Sequence, residues 1–175
     1  IDSTAKIAND VVIGPWSTIG PGVELESGVV VGSNVEIKCN THVGANTAIH
    51  SFAAIGGDPQ HLGYKGEQTA LVIGKNNTIR EFATISRGTA EADGVTRIGD
   101  NNYIMSYCHV AHDCNISNNI VLANNVQVGG HVFIQDSAIV GGSCAIHQFS
   151  RIGESSMVGG MTGVLSDVIP FGLSL

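Results

Sequence analysis

An aliphatic residue returns at every sixth position along almost the whole chain. It stands at Ile1, Ile7, Ile13, Ile19, Leu25, Val31, Ile37, Val43, Ile49 and Ile55, then at Ile73, Ile79 and Ile85. It resumes at Ile98, Ile104, Val110, Ile116, Leu122, Val128, Ile134, Val140, Ile146, Ile152, Val158 and Val164. The next position is often Gly, as at Gly14, Gly44, Gly74 and Gly129, and the fifth is small or Val, as at Ala5, Val23, Ala83, Cys114 and Ala138. An amphipathic helix would repeat its apolar stripe at about 3.6 residues and a half-buried strand at about 2. Hexads with two inward positions and a Gly-rich corner instead make the sides of a parallel β-helix. With three sides per coil, residues about 18 apart stack at the inter-strand spacing of about 4.8 Å, and eight or so coils make a prism roughly 40 Å long. A conventional β-sandwich has no reason to keep such a period. The expectation is an all-β protein, one domain over residues 1–175.

The two breaks in the period lie between Ile55 and Ile73 and between Ile85 and Ile98. They predict loops over about 57–72 and 90–97. With the faces labelled a, b and c and Ile1 on face a, both loops leave the same corner, after face a, in adjacent coils. Insertions on one side of a solenoid mark its binding side. That corner also carries Val110-Ala111-His112-Asp113-Cys114. Stacking predicts a column His112–Gly130–Gln148, a neighbouring column Asp113–His131–Phe149, and Arg87 one coil below His112.

The net charge of −7 argues against a nucleic-acid partner, which would call for a basic face. No apolar run suffices to span a bilayer and no basic-then-apolar leader opens the chain, so a soluble cytoplasmic protein without an integral membrane segment is expected. Cys108, Cys114 and Cys144 fall on the inward fifth position, where a thiol acts as a small apolar filler, and Cys39 falls at a corner. Their spacing predicts neither disulfides nor structural zinc.

His112, at a turn, is expected to project outward. Imidazole titrates near neutrality, which suits a general base, given an acceptor such as Asp113 or a backbone carbonyl to orient its other nitrogen. Gly130, directly above, leaves a backbone N–H open to a developing oxyanion. No G-x-S-x-G element is present, so direct attack by an acceptor hydroxyl or amine is favoured over an acyl-enzyme. His109, His112, His131 and His147 raise a metal site as a competing reading. His109 and His112 are expected on different faces, so neither a metal nor another cofactor is assigned. A non-catalytic trimeric scaffold is the remaining alternative.

The motifs Ile79-Arg80-Glu81, Arg87-Gly88-Thr89, His109-Val110-Ala111-His112-Asp113-Cys114, Leu122-Ala123-Asn124-Asn125, Gly130-His131 and His147-Gln148-Phe149, with the loop Pro59-Gln60 … Tyr64-Lys65-Gly66-Glu67, run in order. Together they resemble the UDP-N-acetylglucosamine acyltransferases, a hexapeptide-repeat family. The resemblance implies a left-handed coil and a homotrimer. It also implies transfer of a 3-hydroxyacyl group from acyl carrier protein to the 3-position of UDP-N-acetylglucosamine, the first step of lipid A synthesis. His112 would be the base, Asp113 its support and Gly130 the oxyanion donor. Gln60, Arg87, His109, His131, His147 and Gln148 would contact substrate, and Met105, Met157, Gly160 and Met161 would hold the acyl tail. Two departures bear on the acceptor. The family loop reads Q-D-L-K-Y where this chain has Gln60-His61-Leu62-Gly63-Tyr64, and I-H-R-G where it has Ile85-Ser86-Arg87-Gly88. The related sugar-nucleotide N-acyltransferases, which add an N-terminal domain, are the alternative enzyme class. The chain ends at Leu175, where the family continues into a helical domain, so that domain is expected to be absent here.

Overall fold

A computed structural model describes residues 1–175. The chain winds as a left-handed parallel β-helix without a single α-helix. Its short strands stack into three parallel sheets of eight, nine and eight strands, in which each strand pairs with the one three elements away, except that the final strand, Leu173–Ser174, pairs with Met157–Val158 two elements before it. Face b begins with Lys6–Ile7, face c with Val12–Ile13 and face a with Thr18–Ile19. The sixfold aliphatic positions stack on one another, as in the run Ile55, Ile85, Val110, Val128 and Ile146 on face a. Each one from Ile19 to Val164 is buried. The fifth positions fill the rest of the core, including Cys108, Cys114 and Cys144.

Each hexad turns its corner through a residue in the left-handed backbone region. Asn34, Asn40, Asn46, Asn76, Asn101, Asn119 and Asn125 hold this place, as expected of the side chain that best tolerates positive φ. Bulky residues also occupy it, and they gain contacts that offset the strain. Phe52, Phe82 and Tyr107 form an exposed ladder with ring centroids 5.1 and 4.9 Å apart. At the corner between faces a and b the same place is taken by Asp113, His131 and Phe149, with φ of 59, 60 and 67°. Close stacking needs residues without a Cβ in a few corners. A Cβ on Gly44 would fall 2.5 Å from the carbonyl carbon of Gly74 in the next coil.

Both loops leave the corner between faces a and b, as the period predicted. The first is shorter than expected and the second begins and ends three residues earlier, because Ala70–Ile73 and Val95–Ile98 are four-residue strands paired with each other from Ala70↔Val95 onward. The reason is burial: Leu71 and Thr96 are fully enclosed fifth-position residues, which extends the hexad register upstream of Ile73 and Ile98. Residues 58–69 and 87–94 remain as the loops.

Two outcomes are expected. Removing most of a core side chain in Ile79→Ala should cost about 2–5 kcal/mol in chemical unfolding, because the stacked coils cannot close the cavity. All four cysteines are free. Burial lifts the thiol of Cys108 to about 11 and that of Cys114 to about 12, so neither is a thiolate at neutral pH. A maleimide should therefore label the folded protein at Cys39 at most and the unfolded protein at all four, as read by intact-protein mass spectrometry.

Candidate active site

The corner between faces a and b gathers the chemistry. Register places His112, Gly130 and Gln148 in one column, and backbone bonds from His131 N–H to the His112 carbonyl and from Phe149 N–H to the Gly130 carbonyl tie the three coils together. His112 is not exposed, contrary to the sequence expectation; only 7% of it reaches solvent. Its side chain does leave the core, but the first loop folds back and lays His61 against it, with ring centroids 5.2 Å apart. His131 of the coil above packs edge-on at 5.2 Å and itself stacks on Phe149 at 4.5 Å.

Asp113 fixes the His112 ring. Its Oδ2 accepts from His112 Nδ1 at 2.8 Å and from the Thr89 hydroxyl at 2.7 Å, while Oδ1 accepts from the Thr89 N–H at 2.8 Å. The Asp113 N–H donates to the Thr96 hydroxyl at 2.8 Å. A carboxylate only accepts, so the proton of neutral His112 sits on Nδ1 and Nε2 presents a lone pair. That nitrogen lies under Gly130, whose Cβ, were there one, would fall 2.8 and 2.9 Å from Cε1 and Nε2. The Gly130 N–H has no acceptor within the protein. Gly88 serves the same packing lower down, since a Cβ there would meet the Val95 amide nitrogen and come within 2.8 Å of Asp113 Oδ1.

A cleft of about 360 Å³ opens beside this column and runs along the outer surface of face a, lined by Gln60, His109, His112, Gln127, Gly130, Ala145 and Gln148 among others. His109 was expected on a different face from His112. As the first residue of the strand His109–Val110 it belongs to face a, and both imidazoles line the same cleft. Its Nδ1 lies 2.7 Å from the Thr84 hydroxyl. Burial first, and the neighbouring His112 second, hold its pKa below the ordinary 6.5.

The other expected contacts divide. Gln60 and Gln148 line the cleft; His131 does not, and stands over the Asp113 carboxylate with Nε2 3.7 Å from Oδ2. His147 is exposed in the column over Ala111 and Gly129, its Nδ1 3.0 Å from the Gln148 carbonyl. Arg87 is not brought to this cleft. Its buried guanidinium is drawn into the loop by the Gly56 carbonyl, Asp58 and the Tyr64 hydroxyl, so it anchors the loop from beneath. Met105 and Met157 flank face c, and Gly160 and Met161 turn the corner from c to a, at the far edge of face a from His112. Thr89, Thr96, Thr84 and His61 were not singled out from the sequence. The first three are ordinary hydroxyls whose roles follow only from stacking across an insertion.

His112, Asp113 and His131 bring ligand-type atoms within 4.8 Å of one another. A cation there would have to displace Thr89 and His112 from a carboxylate they already occupy, so the donor set is better suited to an imidazole–carboxylate pair.

A stacked hexapeptide prism with such a pair and an open amide at a loop-built corner defines a hexapeptide-repeat transferase. A family profile described as "Bacterial transferase hexapeptide (six repeats)" matches residues 4–39 and 96–130. The acyl-[acyl-carrier-protein]–UDP-N-acetylglucosamine O-acyltransferase of Burkholderia orbicola is 50% identical over 123 residues, 70% of this chain and 47% of that protein. LpxA from Acinetobacter baumannii superposes with a TM-score of 0.98 at 45% identity, covering 99% of this chain and 67% of that one. The UDP-N-acetylglucosamine O-acyltransferase of Moraxella catarrhalis gives 0.97 at 44%, covering 98% and 67%. The chain belongs to the UDP-N-acetylglucosamine acyltransferase family. It spans about half the length of the curated relatives it matches.

The depressed pKa of His109 has a stability consequence. Unfolded His109 takes up its proton near 6.5 whereas the folded residue does so only at lower pH. The stability it confers is therefore full above 6.5 and is lost as pH falls from there to the folded value. Calorimetry from pH 7.5 to 5 should show the melting temperature of the unmodified protein dropping more than that of His109→Gln; equal slopes would contradict the assignment.

Proposed function

We propose that this chain is the catalytic β-helix of an enzyme that transfers a 3-hydroxyacyl group from acyl carrier protein to the 3-hydroxyl of UDP-N-acetylglucosamine, in the cytoplasm, as the first step of lipid A synthesis. The observation that carries the mechanism is the His112 ring, held by Asp113 and lying directly under the unbonded amide of Gly130. The acceptor hydroxyl loses its proton to His112 Nε2 as its oxygen attacks the thioester carbonyl. The carbonyl oxygen gathers charge and is held by the Gly130 N–H. When the intermediate collapses, the C–S bond breaks and the imidazolium returns the proton to the departing thiolate. Asp113 keeps the imidazole oriented throughout, without taking the proton.

The names of the relatives supply the substrates, and the cleft accords with them. In this reading Gln60, His109 and Gln148, which line the cleft, and His131 and His147 beside it are the polar contacts for the sugar nucleotide. The outward column Thr84–His109–Gln127–Ala145–Gly163 loses bulk toward Met161, which leaves a shallow floor for an acyl tail. That floor is open to one side in a single prism, and Met157 and Met161 are exposed, so a homotrimer that closes the groove between subunits is part of this reading. No helix is long and apolar enough to cross a membrane, and the free thiols accord with a reducing compartment.

His112→Ala should lower kcat by about 10²–10⁴-fold, the usual contribution of a positioned base, with the assembly intact by light scattering. The assay is turnover of hydroxyacyl carrier protein with UDP-N-acetylglucosamine on the full-length protein. A chelator should leave turnover of the unmodified enzyme unchanged; loss of activity on chelation would favour a metal at His112, Asp113 and His131.

A further inference from the structure

His112 is held on one side by Asp113 and covered above by Gly130 and His131, and its remaining side faces the first loop. There the ring of His61 closes it off, at 5.2 Å and 68° between ring planes. Gln60, its neighbour, lines the cleft, while His61 packs on the His112 ring itself.

Three features seat His61. Its Nδ1 accepts the Gly63 N–H at 3.2 Å, which puts the proton of the neutral ring on Nε2. Nε2 points at Glu91 of the second loop, 3.6 Å from Oε2. A Cβ on Gly63 would fall 2.8 Å from Glu91 Oε1 and 3.0 and 3.1 Å from Cε1 and Nδ1 of His61. A side chain at 63 would push the Glu91 carboxylate aside and press on the His61 ring, so His61 and Gly63 pack as a unit. Around them Tyr64, Glu67 and Thr89 enclose a space of about 30 Å³, enough for a single water. The titratable groups facing His61 are thus Glu91, Glu67, Tyr64 and His112. The contact with Glu91 stands partly in water and contributes little alone. Ring packing and the space at Gly63 do the holding.

We propose that His61 is a positioning residue, seated by Gly63, that stops the His112 ring from turning Nε2 away from the Gly130 amide. The proposal rests on His112 being the base. Its effect falls on the chemical step, because misplacement of a reacting group by about 1 Å costs up to about 10²-fold.

The experiment measures kcat, KM for both substrates and the melting temperature of the full-length enzyme with His61→Ala, His61→Phe, Gly63→Ala, Glu91→Gln, His112→Ala and the double variant His61→Ala/His112→Ala. His61→Ala and Gly63→Ala should each lower kcat about 10-fold or more with both KM values unchanged. His61→Phe, which keeps a packed ring without its nitrogens, should recover most of the loss, and Glu91→Gln should have a small effect. The double variant should be no slower than His112→Ala alone, since without the base there is nothing to position. Unchanged kcat in His61→Ala, a loss confined to KM, or failure of His61→Phe to recover activity would each overturn the proposal. Near-normal turnover by His112→Ala would instead remove the base assignment, so the two failures are told apart in one data set.

Discussion

The Asp113 carboxylate is the junction on which the rest of the site depends. It accepts from the imidazole of His112 and from the N–H and hydroxyl of Thr89, while its own amide is held by Thr96. One side chain therefore joins the coil that carries the base to the second loop. It is almost fully withdrawn from water, with 2% of its side chain exposed. Buried hydrogen bonds to a charged acceptor are stronger than neutral ones, and leaving one unmade costs more than making it contributes. The corner is therefore strongly biased toward the single arrangement in which His112 Nε2 faces the cleft.

The scaffold makes such a junction possible. A prism whose coils rise by about 4.8 Å places every eighteenth residue in one column outside the insertions, and the left-handed corner turns aspartate, histidine and phenylalanine outward at 113, 131 and 149. The stacked core is built from interchangeable aliphatic hexads, so it tolerates two insertions at the same corner with one local register shift, between Ile85 and Ser86, where the chain enters the second loop. The first insertion brings Gln60 and His61 over the base, and the second brings Thr89 under the carboxylate and Glu91 to His61. Rigid columns and two loops together give a cleft whose polar groups are already aligned.

Much of this was legible in the sequence because the hexad fixes both the sheet and the side on which a residue stands. The column His112–Gly130–Gln148, the shared corner of the two loops and the burial of Cys108, Cys114 and Cys144 all follow from counting in sixes. What counting cannot supply is how an insertion folds back. His112 sits at an outward position yet is enclosed, because the loop that covers it has no period. Arg87 was placed correctly along the column, but its guanidinium is claimed by Asp58 and Tyr64, partners that belong to the insertion. His109 was set on the wrong face because the last residue of one hexad is the first of the next strand. Thr89 stood in the Arg87-Gly88-Thr89 motif without an assigned role and Thr96 carried no signal; both become partners of Asp113 only because another coil delivers it.

The most direct test is the kinetics of Asp113→Asn. An amide can turn its NH₂ toward His112 Nδ1, which would leave the imidazole proton on Nε2 and remove the lone pair the base needs. The replacement is nearly isosteric, so the prism and its assembly should persist by light scattering and melting. If the carboxylate sets the tautomer of the base, kcat should fall by at least about 10²-fold, within the range of general-base effects, while KM for both substrates stays near its original value. Turnover close to that of the unmodified enzyme would show that the imidazole does not depend on Asp113, and the account of this corner as an oriented base would be wrong.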